Sequence, residues 1–377
     1  MRSTVSQTIG IGLIGTGWIG RVHVEQFLNV SRLCPLPGVT VRLQAVADVI
    51  PKLAQLTSEE FGFARYYTAW QEVIADPEVN LVDICVPNSL HLEIAVAAAK
   101  AGKHILCEKP LATSAEEGRL MVEAVEAAGV RHMINFNYRR APAIAFAKQL
   151  LEEGALGEVI NFRGGFSQDF AANPQLPWSW RFNAAAAGGG SLVTMGSHVI
   201  DCARYLVGDI AGLVATLDTF VSERPKGDGS MGQVDVDDSA AVLVRFRNRA
   251  IGLVYTSWLA YGRKHHFEWE LNATRGSLFF NSERLNELQL CEATDPKDRQ
   301  GFKTIYVGEH HPYSNIFKLK SGMGIGIRDT FLLQIYELLQ SIANGLAVTP
   351  SFYDGWQVDR FVEAAGISST ENRWMHL

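Results

Sequence analysis

At 377 residues, 47% of them hydrophobic, the chain is longer than a single core usually accommodates, and two domains are expected. A formal net charge of -6 with no run of five like charges argues against nucleic acid or an anionic membrane surface as partner, and no apolar stretch reaches the roughly 18 residues of a membrane helix. The five cysteines (Cys34, Cys85, Cys107, Cys202, Cys291) are odd in number and form no CxxC pair, so neither a disulfide framework nor a zinc site is expected; with no basic, apolar leader the sequence reads as a soluble cytoplasmic protein.

From Ile9 to about Asn135, short apolar runs alternate with helical patterns: "IGIGLI" then 18–30, "VRLQAVA" then 51–61, "LVDICVP" then 90–101, "KHILCE" then 115–128, and "VRHMINF". That rhythm predicts a parallel sheet covered by helices on both faces, an α/β Rossmann dinucleotide-binding domain over residues 1–137. Beyond Asn137 the texture changes. One helical segment, "AIAFAKQLLEEGALG", precedes β-rich stretches such as "EVINFRGGF", "SAAVLVRFRNRAIGLVYTSW", "HFEWELNAT" and "GSLFFN". Val242, Val244 and Phe246 alternate with Leu243, Arg245 and Arg247 up to a turn near Asn248, the pattern of a hairpin with one packed face. Residues 222–235 read as a surface loop, and two helices, near 329–344 and 355–365, close the chain. The expectation for 138–377 is an α+β domain with a mostly antiparallel open sheet, serving substrate binding and oligomerisation.

"GLIGTGWIG" places Gly15, Gly17 and Gly20 between the first strand and the helix opened by Trp18 and Ile19. In that context the first glycine makes the turn, the second lets backbone approach a pyrophosphate, and the third brings helix against strand, with the diphosphate on the helix N-terminus. Asp48 ends the second strand, where a carboxylate accepts hydrogen bonds from the ribose hydroxyls and repels a 2′-phosphate, so NAD is expected over NADP. The spacing from Gly20 to Asp48 is lengthened by "SRLCPLPGV", and nearby Lys52 leaves some NADP tolerance open.

Ligands of an open α/β sheet lie beyond the carboxyl ends of its strands. The tails "CVPNSLH" (85–91) and "CEKPLATS" (107–114) are therefore expected to face a nicotinamide. The glycine loop, Asp48, Pro87-Asn88 with His91, Glu108-Lys109-Pro110, "GGGSLVTMGSHVIDCARYL" (188–206) and "SFYDGW" (351–356) together resemble the glucose-fructose oxidoreductase and inositol 2-dehydrogenase (Gfo/Idh/MocA) family across nearly the whole chain. The resemblance implies NAD-dependent oxidation of a sugar or cyclic polyol hydroxyl to a ketone, with Lys109 and His198 flanking the reacting carbon. It implies cofactor contacts from Gly15, Gly17, Trp18, Ile19, Gly20, Asp48, Pro87, Asn88, His91, Glu108 and Lys109. A histidine suits removal of the hydroxyl proton near neutral pH, and an ammonium stabilises the alkoxide-like charge that builds up.

The family usually carries an aspartate four residues before that histidine, where this sequence has Thr194. A hydroxyl supplies only a neutral hydrogen bond, so Asp201, three residues beyond His198, is the candidate for partial compensation, or else a structural carboxylate. For the substrate, polar and aromatic residues outside the strand patterns are the candidates: Asn137, Tyr138, Arg139, Gln168, Trp180 and Arg181, with Lys109 and His198. The arginines could equally be ion-pair partners and the tryptophans core residues. The segments "FNYRR" and "SWRF" also occur in family members acting on sugar-like or anhydrosugar substrates. No metal is expected; "GEHHPY" (308–313) lacks the further ligands a site would need. Apolar residues on the second sheet face, such as Leu243, Leu253 and Tyr255, predict a homodimer or homotetramer. An NADPH-dependent keto-sugar reductase and a non-catalytic dinucleotide or sugar sensor are the alternatives.

Overall fold

The structure, a computed structural model, describes residues 7–318 and 320–377. It divides into two compact units: the chain up to Asn137 with Ile327–Gln357, and Tyr138–Gly326 with Val358–Leu377.

The first unit runs β1 (Gln7–Ile14), α1 (Trp18–Leu33), β2 (Val39–Ala47), α2 (Pro51–Phe61), β3 (Arg65–Tyr67), α3 (Trp70–Ala75), β4 (Leu81–Ile84), α4 (His91–Lys100), β5 (His104–Cys107), α5 (Ala115–Ala128) and β6 (His132–Ile134). All strand pairs are parallel, in the order β3-β2-β1-β4-β5-β6. Ile9, Ile11, Leu13, Leu81, Val82 and Ile105 are wholly buried, because a parallel sheet covered on both faces leaves its central strands no wet side. β1 lies between β2 and β4, so the strand order reverses beside it, and the glycine loop follows its carboxyl end. The pair β3 and α3 has no counterpart in the sequence reading, since three residues, "RYY", are too few to show alternation.

The second unit continues with α6 (Pro142–Glu152), β7 (Val159–Ser167), α7 (Ala184–Ala187), α8 (Ser197–Val207), β8 (Ile210–Asp218), β9 (Glu223–Pro225), β10 (Met231–Gln233), β11 (Ser239–Phe246), β12 (Ile251–Ser257), β13 (His266–Ala273), β14 (Gly276–Asn281), β15 (Glu287–Glu292), β16 (Lys303–Tyr306) and α9 (Ser314–Phe317). After α10 (Ile327–Asn344) and α11 (Phe352–Glu371) the chain ends in β17 (Met375–His376). Nine strands form one sheet, β16-β15-β14-β13-β7-β12-β11-β8-β17, in which β7 and β12 are parallel and every other pair antiparallel. Along β11 the residues Val242, Val244 and Phe246 are buried while Leu243 and Arg245 are exposed, so one face packs. On β7, a Cβ at Gly164 would come within 2.8 Å of the Val199 side chain, and glycine there lets α8 lie close on the sheet.

Two expectations are corrected. Residues 138–377 do not form one uninterrupted domain, because α10 belongs to the first unit: Leu332, Leu333, Leu338 and Leu339 are wholly buried, and Gln334 donates from Nε2 to the carbonyl of Ile134, the last residue of β6, at 2.7 Å. An amphipathic pattern marks a helix's buried face but not which core receives it. Residues 222–235 are not merely a loop; β9 and β10 pair as a hairpin whose Arg224 is buried, donating to the carbonyls of Ala171 (2.7 Å) and Asn173 (2.9 Å). Among the described residues no helix is long and apolar enough to cross a membrane.

Candidate active site

The turn after β1 is built by its glycines. Gly15 has φ +97°, and a Cβ there would sit 2.3 Å from the Cys85 carbonyl oxygen; one on Gly20 would sit 2.2 Å from the Gly15 oxygen. Gly17 differs: its φ is -62° and a Cβ would meet nothing of the chain within 4 Å, so no intrachain contact requires glycine. Gly17 is the N-cap of α1, has no capping side chain, and no acidic residue occupies the first turn, which leaves the helix's positive end for an anion. An exposed backbone surface at a helix N-terminus fits a dinucleotide's pyrophosphate. Trp18 is exposed and Ile19 half-buried on that first turn.

Asp48 follows β2 with its carboxylate already oriented. Oδ2 accepts from the Thr16 amide (2.9 Å) and Thr16 Oγ1 (2.6 Å), and Oδ1 accepts from the Ile50 amide (2.9 Å). Pro87 and Asn88 open the short turn between β4 and α4. His91 is wholly buried: Nδ1 lies 3.0 and 3.2 Å from the Pro110 and Leu111 carbonyls, and Nε2 lies 3.1 Å from that of Val86. It ties the tails of β4 and β5 together and has no surface to offer a cofactor; burial pushes its pKa down even though the carbonyls favour the charged ring. Lys109, half-buried, follows β5.

Glu108, next to Lys109 in the chain, belongs to a buried cluster that the sequence reading missed. His23 on α1 is buried, with Nδ1 at 3.0 and 3.1 Å from the Asp83 carboxylate and Nε2 at 3.1 Å from Glu108 Oε1. Asn135 Nδ2 also donates to Glu108 Oε1, and Glu108 Oε2 accepts the Lys109 amide at 3.2 Å. Burial alone would lower the His23 pKa, but the charge and hydrogen bonds of Asp83, with Cys85, hold it well above 6.5. Burial would raise that of Glu108, yet His23, Lys109 and Asn135 hold it below the usual carboxylate value. The available signal was Asp83 itself, a lone carboxylate inside the apolar strand "LVDICV" that must have a partner.

In the second unit, His198 is the second residue of α8 and is buried. A π-helical turn, Leu192–Gly196, leads into it, and such turns are frequent at functional sites. Asp237 fixes the start of that turn, accepting from the Gly190 amide (2.8 Å), the Leu192 amide (2.9 Å) and Ser191 Oγ (2.7 Å). A Cβ on Gly190 would lie 1.9 Å from the Asp237 carbonyl oxygen, which accounts for glycine at that point of the GGG run. Thr194 is half-buried within the turn and donates its amide to Gly190 O at 2.8 Å.

The His198 ring meets the Tyr138 ring edge-on, centroids 4.8 Å apart. Tyr138 in turn hydrogen-bonds His265 Nε2, and Gln168 Nε2 donates to His265 Nδ1 at 2.9 Å. His265 is a further candidate that the sequence did not reveal, because a loop histidine carries no periodicity. Arg139 and Asp201 pair with each other through two hydrogen bonds, both buried, which is the ion-pair role left open for them. Asn137, in the first unit, donates from Nδ2 to Thr330 Oγ1 at 2.7 Å. Trp180 and Arg181 lie on a short turn, the guanidinium 4.6 Å over the indole. In "GEHHPY", His311 accepts the Gly308 amide at 3.0 Å and stacks edge-on with Phe146, a local structural role.

A parallel sheet in this strand order, a bare-ended glycine loop and an oriented acid after β2 define a dinucleotide-binding unit. The comparisons specify which kind. Residues 9–136 match the oxidoreductase family with an NAD-binding Rossmann fold and residues 144–279 match the GFO/IDH/MocA C-terminal domain, and the chain belongs to this family. It is 42% identical over 383 residues to levoglucosan dehydrogenase of Pseudarthrobacter phenanthrenivorans, covering 98% of each. It is 27% identical over 368 residues to myo-inositol 2-dehydrogenase of Thermotoga maritima, covering 97% of this chain and 98% of that one. A solved structure of levoglucosan dehydrogenase in complex with NADH and levoglucosan superposes with a TM-score of 0.95 at 41% identity, covering 98% of this chain and 99% of that one.

Proposed function

We propose that the protein oxidises a secondary hydroxyl of an anhydrosugar, sugar, glycoside or cyclic polyol to a ketone, with levoglucosan the first substrate to test. The observation that carries this reading is the likeness, over 98% of the chain, to a levoglucosan dehydrogenase solved with NADH and levoglucosan. Bound NAD supplies a nicotinamide that accepts hydride. Gly15, Gly17 and Gly20 with the first turn of α1 hold the diphosphate, and Asp48 takes the ribose hydroxyls, its carboxylate set by Thr16 and Ile50. His198 withdraws the hydroxyl proton as the carbon loses hydride, and the Lys109 ammonium stabilises the developing alkoxide. Tyr138, Gln168, Trp180 and Arg181 are the remaining substrate contacts. Asn137, Arg139 and Asp201 hold the frame through Thr330 and through each other. A reducing, cytoplasmic setting agrees with five cysteines that are all free thiols.

Reduction of a keto-sugar with NADPH is the second reading, favoured by Thr194 in place of the usual aspartate and by Lys52 in the first turn of α2, close to Asp48. Absorbance of the reduced cofactor, followed with NAD or NADP and a panel of anhydrosugars, aldoses, glycosides and inositols, tests both. Turnover with NAD, reduced by about 100-fold or more in Lys109→Ala and His198→Ala, supports the first reading. A strong preference for NADPH and a keto-sugar replaces it with the second.

A further inference from the structure

We propose that Asp83, His23 and Glu108 form a buried chain of alternating charge that ends at Lys109, and that His23 is a positioning residue for the ammonium. The inference rests on the reading of Lys109 as the group that stabilises the alkoxide.

The hydrogen-bond geometry assigns the charges. Each His23 nitrogen faces a carboxylate, Asp83 on one side and Glu108 Oε1 on the other, and a carboxylate only accepts. Asn135 Nδ2 donates to the same Oε1 and also lies 3.0 Å from His23 Nε2. Each ring nitrogen is assigned a proton, because each lies within 3.1 Å of a carboxylate oxygen and Asp83 holds the His23 pKa well above 6.5. The groups facing the ring are Asp83 and Cys85 from β4 and its tail, Glu108 from the tail of β5, Asn135 after β6, and Phe331 of α10, whose ring centroid lies 5.5 Å away. The formal charges run minus, plus, minus, and the Lys109 ammonium brings the set to neutrality.

His23, Asp83 and Cys85 also place one possible metal-ligand atom each within 4.8 Å of one another. A doubly protonated imidazole has no lone pair for a metal, and burial raises the Cys85 thiol pKa, so the cluster holds protons rather than an ion. Burying three charges in the nucleotide unit is seldom favourable for stability alone, since an apolar core of the same volume does as well. Its end point gives it a use. Glu108 is fixed by His23 and Asn135 through Oε1 and by the Lys109 amide through Oε2, so a permanent anion stands one residue from the ammonium, and the backbone carrying that ammonium is pinned.

The test compares His23→Gln, the double variant Asp83→Asn/His23→Gln, and Lys109→Ala in the full-length protein, reading kcat against pH and KM for NAD. Removing the imidazolium leaves two buried carboxylates that must share a proton, so His23→Gln is expected to lose about 10-fold or more in kcat and to gain an inflection in its pH profile between about pH 6 and 8, with KM for NAD within about 3-fold. The double variant removes one negative and one positive charge together and is expected to recover most of the lost kcat; a purely steric role predicts a double variant no better than the single. A double variant no more active than His23→Gln, together with an unchanged pH profile, overturns the charge chain. Lys109→Ala keeps the two failures apart: if it retains full turnover, the reading of Lys109 fails and the chain has no catalytic end. Should His23→Gln not fold, neutron diffraction from deuterium-exchanged wild-type crystals at pH 8 decides: deuterium on both His23 nitrogens supports the proposal, and on one overturns it.

Discussion

The Arg139 guanidinium donates from Nε to Asp201 Oδ2 at 2.9 Å and from a terminal nitrogen to Oδ1 at 2.5 Å, and both side chains are buried. The pair links the turn after Asn137 to α8, three residues from His198, and the cation also lies 4.8 Å over the Tyr205 ring. Removing one partner strands a buried charge. Asp201→Ala is expected to destabilise the protein by about 3–5 kcal/mol, whereas Arg139→Met/Asp201→Leu, which removes both charges, should lose much less. Urea unfolding of the two variants and wild type checks this, and an Asp201→Ala protein within about 1 kcal/mol of wild type would show the pair to be dispensable.

The glycine loop separates folding from binding. Gly15→Ala forces a side chain into φ +97° and against the Cys85 carbonyl, so it should cost about 1–3 kcal/mol or more in stability. Gly17→Ala meets nothing in the chain and should unfold within about 0.5 kcal/mol of wild type, yet weaken NADH binding by about 10-fold or more, because the methyl group occupies the approach of the pyrophosphate. NADH fluorescence titration alongside urea unfolding measures both. Unchanged NADH affinity in Gly17→Ala would move the diphosphate away from this turn.

How far the sequence carried the fold depended on the kind of signal. The parallel strands were legible because burial on both faces makes them unbroken apolar runs, and the hairpin of β11 and β12 because one wet face imposes alternation at Val242 to Arg247. The placement of α10 was not legible, since Leu332 and Leu338 state only that they are buried. Local motifs nominated Lys109 and His198 and located the glycine loop. What they could not give was pairing at a distance: Arg139 with Asp201, Tyr138 with His265, and Asp83 with Glu108 through His23, each joining segments far apart in sequence.

The open face of the large sheet carries Leu243 (54% exposed) opposite Leu253 (40%) on the neighbouring strand, with Ile251 (59%) and Tyr255 (42%) beside them. Exposed apolar residues grouped in this way on a sheet face are the ground for the expected oligomer. Light scattering at micromolar concentration is expected to return a homodimer or homotetramer. Leu243→Glu/Leu253→Glu should shift it toward monomer, because two carboxylates would otherwise be buried unpaired. A wild-type monomer would remove the basis for this interface.

His132 makes stability sensitive to acid. Its Nδ1 accepts the Phe352 amide at 3.1 Å and its ring packs 4.9 Å from the Phe352 ring, while burial, with the neighbouring Arg131 charge, pushes its pKa from 6.5 down to about 4 against the opposing pull of Asp354. A folded-state pKa below the unfolded one means that the neutral ring's contribution is complete above pH 6.5 and is lost as pH falls through about 4, where protonation turns the acceptor into a donor facing an N–H. At about 1.4 kcal/mol per pKa unit, the full loss is about 3 kcal/mol. His132→Asn keeps a neutral acceptor that does not titrate. Its urea-unfolding free energy should therefore fall by about 2–3 kcal/mol less than that of wild type between pH 7 and pH 4. Equal pH slopes in the two proteins would place the acid sensitivity in other groups.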